Sequence, residues 1–181
     1  VLLASRFGDI RLIPKTHLIP VTVRQSLNSL SAIEAGEQHS KDPIHYASGL
    51  SEINLSRIQN TSEGGGWKDW PSELVLECHK KETGKTYSNI YGRMWWDKPA
   101  PTITTEFNAI GSGRFGHPVQ DRAISLREGA LLQTFPKKYR FAKRRQDVSI
   151  GTIARHIGNA VPVRLAQIIG RSIKRHIADA L

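Results

Sequence analysis

The stretch DRAISLREGALLQTFP, residues 121–136, carries the strongest local signal of the sequence. Ser125 and Glu128 have the spacing of a capping box, in which each side chain accepts a hydrogen bond from the backbone amide of the other residue. The residues that follow favour a helix until Pro136, because proline lacks the backbone N–H that a helix interior needs. We therefore predict a helix that begins at Ser125 and stops at Pro136.

A second helix is predicted near the C-terminus, where RHIGNAVPV, residues 155–163, leads into an apolar stripe. The stripe has helical spacing and consists of Leu165, Ile168, Ile169, Ile173 and Ile177. Cationic side chains near its end complement the helix dipole, and these are Arg171, Lys174 and Arg175. We predict a turn at Gly-Asn-Ala-Val-Pro, followed by a helix from Pro162.

The rest of the sequence favours strands and loops, because short apolar runs alternate with turn residues. The predicted elements are two strands over 1–13, a helix over 21–36, a hairpin of 74–81 and 85–96, and an extended segment over 99–107. Residues 37–66 and 111–118 are predicted as loops, because they are rich in glycine and polar residues. The central region is therefore expected to be mainly β and loop.

The net charge of +10 comes from 26 basic and 16 acidic side chains. Residues 1–121 hold 13 of each sign, whereas residues 122–181 hold 13 basic and 3 acidic side chains. An excess of this kind favours a polyanionic partner, which is either nucleic acid or an anionic membrane surface. No apolar run reaches the ~20 residues that cross a bilayer, and no signal peptide is recognisable. We expect a soluble, cytoplasmic protein.

The single cysteine, Cys78, excludes an internal disulfide framework and a thiolate zinc cluster. Its neighbour His79 cannot readily serve it as a base, because adjacent residues of a strand point to opposite faces. We expect Cys78 to be a small buried residue, and the scattered histidines predict no metal site. The sequence begins with the apolar run VLLAS, which resembles a buried strand whose first residues are missing. We therefore expect the start to be truncated.

Two further segments leave alternatives open. Arg93 beside Tyr91, Trp95 and Trp96 suits either the reading of base edges or the packing of a small core. The basic segment over 137–145 suits either phosphate contact or a solvated linker. From the residues alone, we predict a basic mixed α/β protein that binds nucleic acid.

Three stretches together resemble one family. They are YGRMWWDKPAPTITTEF, GRFGHPVQDRAISLREGALLQTFPKKY and IGNAVPVRLAQIIG. In order and spacing they are similar to the C-terminal part of bacterial DNA cytosine-5 methyltransferases, where a target-recognition region precedes the ninth and tenth conserved motifs. The opening VLLASRFGDI looks like the strand that ends the eighth motif.

The resemblance implies an α/β fold. It consists of a mainly β target-recognition domain and a C-terminal helix that belongs to an incomplete Rossmann-like, S-adenosylmethionine-dependent methyltransferase domain. The implied divisions are a terminal strand of the catalytic domain over 1–16, a DNA-binding domain over 17–121, the ninth-motif helix and hinge over 122–155, and the tenth-motif turn and helix over 156–181.

The resemblance also implies roles for individual residues. The residues that match DNA-contacting positions are Arg93, Thr102, Gly111, Gly113 and Arg114. Those that match structural, bracing positions of the ninth motif are Arg122, Arg127 and Glu128. Asn159, Ala160 and Val161 match the turn that lines one side of the S-adenosylmethionine pocket. From the residues alone, the same turn is a helix start with Pro162 in the first turn.

Family members methylate C5 of a flipped cytosine after a cysteine thiolate adds to C6. The motifs that carry this nucleophile, the acid and the methyl-donor loop are absent from this sequence, so no catalytic residue is expected in this chain. The resemblance implies the C-terminal segment of a restriction-modification methyltransferase, either truncated or the smaller subunit of a split enzyme. Its partners would be double-stranded DNA and an N-terminal catalytic half, with no membrane.

Such a segment would be inactive alone. Its apolar stripe and its first strand would belong to the missing domain, so we expect the isolated chain to aggregate or to be partly unfolded. The alternative from another class is a free-standing, non-catalytic DNA-binding module.

Overall fold

The computed structural model describes residues 2–142, 145–147 and 149–181, and within these ranges the regular structure is helical. The α-helices of these ranges are α1 Val23–Leu27, α2 Glu52–Gln59, α3 Glu77–Lys80, α4 Leu126–Leu132, α5 Ile150–Asn159 and α6 Val163–Ala180. Short 3₁₀ turns occupy Trp67–Asp69, Ser72–Leu74, Glu82–Gly84, Ile110–Ser112 and Arg145–Asp147. Isolated bridges join Gln38 to Tyr46, and Gly116 to both Arg93 and Ala123.

The prediction of a mainly β recognition domain is wrong. The proposed hairpin contains α3 and a 3₁₀ turn, and residues 99–107 form no strand. Residues 2–13 form no strand either, and Val1 lies outside the described residues. A strand needs a neighbouring ladder to satisfy its backbone groups. In this region the buried side chain of Arg93 and the half-buried side chain of Arg114 donate to loop carbonyls instead.

The helix predicted after Ser125 is confirmed as α4. The Ser125 hydroxyl accepts from the Glu128 amide at 3.1 Å, and the Glu128 carboxylate accepts from the Ser125 amide at 2.6 Å. The helix ends at Leu132, before Pro136, and contacts both α1 and α5. Gly129 permits this packing, because a Cβ there would lie 2.2 Å from the ring of Phe107.

The central core forms where these helices meet. Its buried residues include Val23 and Leu27 from α1, Leu126 and Ala130 from α4, Ile153 and Ile157 from α5, and Phe107 and Phe115 from the loops. Burial of these apolar side chains holds together a chain that has little sheet in its described part.

The helix predicted over 21–36 covers only Val23–Leu27. It starts at a capping box of Thr22 and Gln25, and its C-cap is Asn28. The sequence after it, NSLS, contains short polar side chains that compete for backbone hydrogen bonds and favour turns. Gly36, predicted as the C-cap, lies instead in a later turn with φ of 84°.

The C-terminal helix is confirmed as α6, whereas α5 was not predicted. The apolar stripe of α6 remains partly exposed, with Leu165, Ile173 and Ile177 at 38, 39 and 41%. The N-terminal segment contacts this helix, since the Ile13 amide donates to Ser172 Oγ at 2.9 Å. Among the described helices, none is long and apolar enough to span a membrane.

Candidate functional site

A buried glutamine joins α4 to the turn between α5 and α6. Gln133 Nε2 donates to the carbonyl oxygens of Ile157 at 3.0 Å and Ala160 at 3.2 Å. The Gln133 carbonyl in turn accepts from the Val163 amide at 3.2 Å. The end of one helix and the start of the next are therefore capped by the same residue. We call these contacts the Gln133 clamp.

Thr134 extends this clamp to the first turn of α6. Its Oγ1 accepts from the Arg164 amide at 2.9 Å, in the position of an N-terminal helix cap. Its φ of 61° is rare for a β-branched residue. Neither Gln133 nor Thr134 was predicted as a functional residue. The available signal was their place in LQTFP, directly after the capping-box helix.

The predicted cofactor residues lie on the outer side of the clamped turn. Asn159 is the last residue of α5 and is exposed, and Val161 is 58% exposed. Ala160 is half-buried, and its carbonyl is bound by Gln133. The expected turn is present, but the Gly-Asn pair closes α5, and only Pro162 lies directly before the following helix. The role of the three residues at a cofactor stays a prediction.

Next to the turn lies a cavity of about 600 Å³. Its walls are residues 99–103, the C-terminal end of α4 and the first turn of α6, with His17, Val21 and Ser26 at its edge. Thr102 is exposed and also lines a second cavity of about 420 Å³, together with Trp95, Gly113 and Arg114. The structure thus brings Thr102, Gly113 and Arg114 to one cleft.

Gly111 does not line either cavity within the described part of the chain. It packs instead beside Tyr91, where a Cβ would lie 3.3 Å from the ring. At Gly111, which matches a DNA-contacting position of the family, the backbone therefore lies against a side chain of the same chain.

Arg93 is buried, and its guanidinium is saturated by internal acceptors. Its side chain donates to the carbonyls of Ile58 at 2.8 Å, Thr61 at 2.7 Å, His117 at 2.9 Å and Gln120 at 2.6 Å, and to the Asp121 carboxylate. Five hydrogen bonds account for all five N–H groups of an arginine side chain. A direct contact between this side chain and DNA would require these bonds to break. Of the two interpretations, the structure favours core packing.

Arg114 has a similar role at the rim of the second cavity. Its Nη1 donates to the carbonyls of Gly64 and Gly65 at 2.6 Å each, and its guanidinium lies 4.5 Å from the ring centre of Trp95. Burial lowers the pKa of Arg114 from its usual value. The residue therefore shapes the wall of the cavity by holding the 64–65 loop against Trp95.

Arg122 and Glu128 form a buried ion pair beneath α4. Arg122 Nη1 and Nη2 donate to the two carboxylate oxygens at 2.7 and 2.8 Å. Burial alone would raise the pKa of Glu128, but the hydrogen bonds and charge of Arg122 outweigh it and lower this pKa to about 2. Such a carboxylate is fixed as an anion and is unsuited to proton transfer near neutral pH.

Arg127 binds Asp42 on the other side of α4, with Nε at 2.6 Å from Oδ2 and Nη2 at 3.0 Å from Oδ1. Burial raises the pKa of Asp42, but the hydrogen bond and charge of Arg127 more than offset it, so the pKa lies below its usual value. All three predicted bracing residues are thus placed in contacts internal to the chain.

His117 is buried against the Arg122–Glu128 pair. Its Nδ1 accepts from the amides of Val119 at 3.3 Å and Gln120 at 3.0 Å. Its Nε2 lies 3.8 Å from Glu128 Oε1. Burial lowers the pKa of His117 to about 4, although the charge of Glu128 opposes this change.

Cys78 is exposed on α3, so the prediction of a buried cysteine in a strand is wrong. It lines none of the cavities described above. Among the described residues, no cluster of three or more histidine, cysteine, aspartate or glutamate side chains could hold a metal ion. The site therefore consists of a partly polar cavity beside the α5–α6 turn, which Gln133 holds in place.

The cleft and turn lie in a region that is similar to known proteins. A family model described as C-5 cytosine-specific DNA methylase matches residues 14–175. The type II methylase M.HgiDII of Herpetosiphon aurantiacus is 55% identical over 179 residues, which are 98% of this chain and 50% of that protein.

Two other relatives match over shorter fractions of their length. The type II methyltransferase M1.BsuMI of Bacillus subtilis is 37% identical over 71% of this chain and 29% of that protein. DNA (cytosine-5)-methyltransferase 3 of Arabidopsis thaliana is 33% identical over 85% of this chain and 12% of that protein. The chain therefore spans half or less of the length of these relatives.

Proposed function

The chain belongs to the C-5 cytosine-specific DNA methylases, and from this premise we propose that it supplies such an enzyme with its DNA-recognition part and one wall of its S-adenosylmethionine site. The substrate is duplex DNA, and the target is C5 of a cytosine that is flipped out of the helix. S-adenosylmethionine supplies the methyl group when it is bound.

The observation that carries this proposal is the Gln133 clamp. It fixes the α5–α6 turn relative to α4, and Gln133 lines the same cavity as residues 99–103. Methyl transfer depends on the distance and orientation between the methyl donor and the cytosine. The parts of the protein that bind DNA and cofactor therefore have to be held in fixed positions.

The turn suits one side of a cofactor site. Asn159 and Val161 are exposed, so a carboxamide and an apolar side chain are available to a molecule beside the turn. Ligand pockets combine apolar walls with a few polar groups of this kind. The remaining contacts are assigned to an N-terminal catalytic half, either in the same polypeptide or in a separate subunit.

The DNA contact is assigned to the cleft around Thr102. Thr102 is exposed and lines both cavities, and Gly113 and Arg114 line the second one with it. Hydroxyl groups and backbone amides are common contacts to DNA phosphates. In this proposal Arg93 positions the loops, as Arg122, Arg127 and Glu128 position α4.

The nucleophile is assigned to the N-terminal half as well. The one cysteine of this sequence is exposed on the short helix α3, outside the two cavities that Thr102 lines. A thiolate that attacks a flipped base has to reach the base within the site.

Complementation tests this proposal. The chain is co-expressed with the N-terminal half of the Herpetosiphon methylase, and transfer of labelled methyl groups from S-adenosylmethionine to duplex DNA is measured. We expect transfer with both halves together and background with either half alone. Absence of transfer in a complex that forms and binds duplex DNA would refute the proposed role.

A matched pair of glutamine variants tests the clamp within the same assay. Gln133→Ala removes two hydrogen bonds to the turn, each of about 1 kcal/mol, so we expect a loss of about tenfold or more in transfer. Gln167→Ala changes an exposed residue of the same cavity and is expected to change transfer less than twofold. Equal losses in the two variants would contradict the role of the clamp.

A further inference from the structure

A third cavity, of about 540 Å³, is lined largely by basic residues, and we call it the basic cleft. Its exposed cations are Lys41, Lys137, Lys138 and Arg140. The acidic residue in its lining, Asp42, is already paired with Arg127. Within the described residues, the four cations have no carboxylate partner, so the cleft presents a concentrated positive charge to a ligand.

The segment that carries three of these cations is held in place by packing. The rings of Phe135, Tyr139 and Phe141 contact one another, with centroids 4.7 to 5.2 Å apart. Arg127 Nη1 also donates to the Tyr139 carbonyl at 3.1 Å. Phe141 packs against the central core. These contacts favour a built surface over a solvated linker for residues 137–142, whereas Lys143 and Arg144 of the predicted basic segment lie outside the described residues.

The basic cleft and the candidate site are lined by residues that are adjacent in the chain. Pro136 lines the larger cavity and the next residue, Lys137, lines the basic cleft. Because consecutive Cα atoms are about 3.8 Å apart, a duplex that occupies the first surface is long enough to reach the second. Regularly spaced phosphates match a row of lysine and arginine side chains, which contact them without reading the base sequence.

We propose that Lys41, Lys137, Lys138 and Arg140 form a second, sequence-independent contact to the phosphates of duplex DNA, outside the recognised bases. This contact rests on the proposed function, because that function brings duplex DNA to the neighbouring cavity. It increases the affinity for DNA and fixes the position of the protein along the duplex. The surface around Thr102 recognises the bases.

Salt dependence of binding tests the proposal with the triple variant Lys137→Gln, Lys138→Gln, Arg140→Gln. Each phosphate contact contributes about 0.9 to the slope of log K against log salt, so three lost contacts lower the slope by about 2.7. Between 50 and 200 mM salt, the wild type should therefore lose about 40-fold more affinity than the variant. We expect this difference on duplexes of unrelated sequence.

The matched control removes the same charge from α6, with Arg171→Gln, Lys174→Gln and Arg175→Gln, which are all exposed. It separates a local contact from the effect of net charge, and we expect a slope change below about 1. Melting curves followed by circular dichroism establish that each variant is folded. Lys138→Gln alone, with an expected change of about 0.9, serves if the triple variant does not fold.

The outcomes separate this inference from the proposed function. Duplex binding by the wild type with equal slopes in the triple variant and the control would overturn the second contact alone. Absence of duplex binding by the wild type would overturn the proposed function and the contact together. Loss of binding to phosphatidylserine vesicles with an unchanged DNA slope would assign the cleft to a membrane surface and also overturn the inference.

Discussion

Acidification from about pH 7.5 to pH 5 is expected to destabilise the folded chain through His117. This imidazole is 2% exposed and accepts hydrogen bonds from the Val119 and Gln120 amides through Nδ1. A proton on Nδ1 would replace both bonds and place a positive charge in a desolvated site near the cations of Arg122 and Arg93. The charge of Glu128 offsets only part of this cost.

The magnitude follows from the two pKa values of His117. Its pKa is about 4 in the folded chain against an ordinary value of 6.5. Because the unfolded chain binds the proton first, the stabilisation is present above pH 6.5 and is lost as the pH falls toward 4. The difference in bound protons between pH 7.5 and 5 integrates to about 2 kcal/mol, which is about 4–8 °C in melting temperature for a chain of this size.

The assay compares the wild type with His117→Gln, whose carboxamide oxygen can accept the same amides but does not titrate. Thermal unfolding is followed at both pH values, and the change is taken within each protein, so a constant loss of stability in the variant cancels. We expect the variant to lose about 2 kcal/mol less than the wild type. His156→Gln, at an exposed position of α5, is the control. An equal pH-dependent loss in His117→Gln and the wild type would refute the reasoning.

Two further predictions concern the stability of α4. Ser125→Ala removes the N-cap of α4 and leaves His45 Nδ1 without its partner at 2.9 Å. The free energy of unfolding, measured in urea, should therefore fall by about 2 kcal/mol. A decrease below about 0.5 kcal/mol would contradict this prediction. Gly129→Ala should cost about 1–3 kcal/mol in the same assay, because the new Cβ overlaps the Phe107 ring. Gly170→Ala, in open space on α6, should instead stabilise the chain by about 0.5–1 kcal/mol, and a reversed order of the two glycine variants would refute the packing argument.

The parts of the fold that could be predicted are those specified by local sequence. The capping box of Ser125 and Glu128 determines where α4 begins, and periodic apolar residues determine α6. The predicted hairpin was wrong because the preference for a strand depends on how side chains pack and are buried in the folded protein, which the residues of 74–96 do not specify by themselves. The helix α5 was not predicted, although Ile150, Ile153 and Ile157 have helical spacing, because the Gly-Asn-Ala-Val-Pro stretch that ends it favours a turn.

The roles of the site residues were harder to predict, because the local sequence does not determine whether a polar side chain is buried. Arg93 lies among aromatic residues, a setting that suits base recognition as well as core packing. Its five donors are satisfied by residues 24–35 positions away, and no local pattern specifies such partners. The same holds for Gln133, whose acceptors lie 24 and 27 residues further along the chain.

The residues of the Gln133 clamp contact both the α5–α6 turn and the larger cavity. Gln133 and Thr134 determine the position of the α5–α6 turn from its inner side, and Asn159 and Val161 remain exposed on its outer side. The same two clamp residues line the cavity that Thr102 borders. In the proposed function, a change in the clamp would therefore alter the cofactor wall and the DNA cleft together. A change at Asn159 alone would leave the cleft in place, so the two classes of variant should separate loss of DNA binding from loss of methyl transfer.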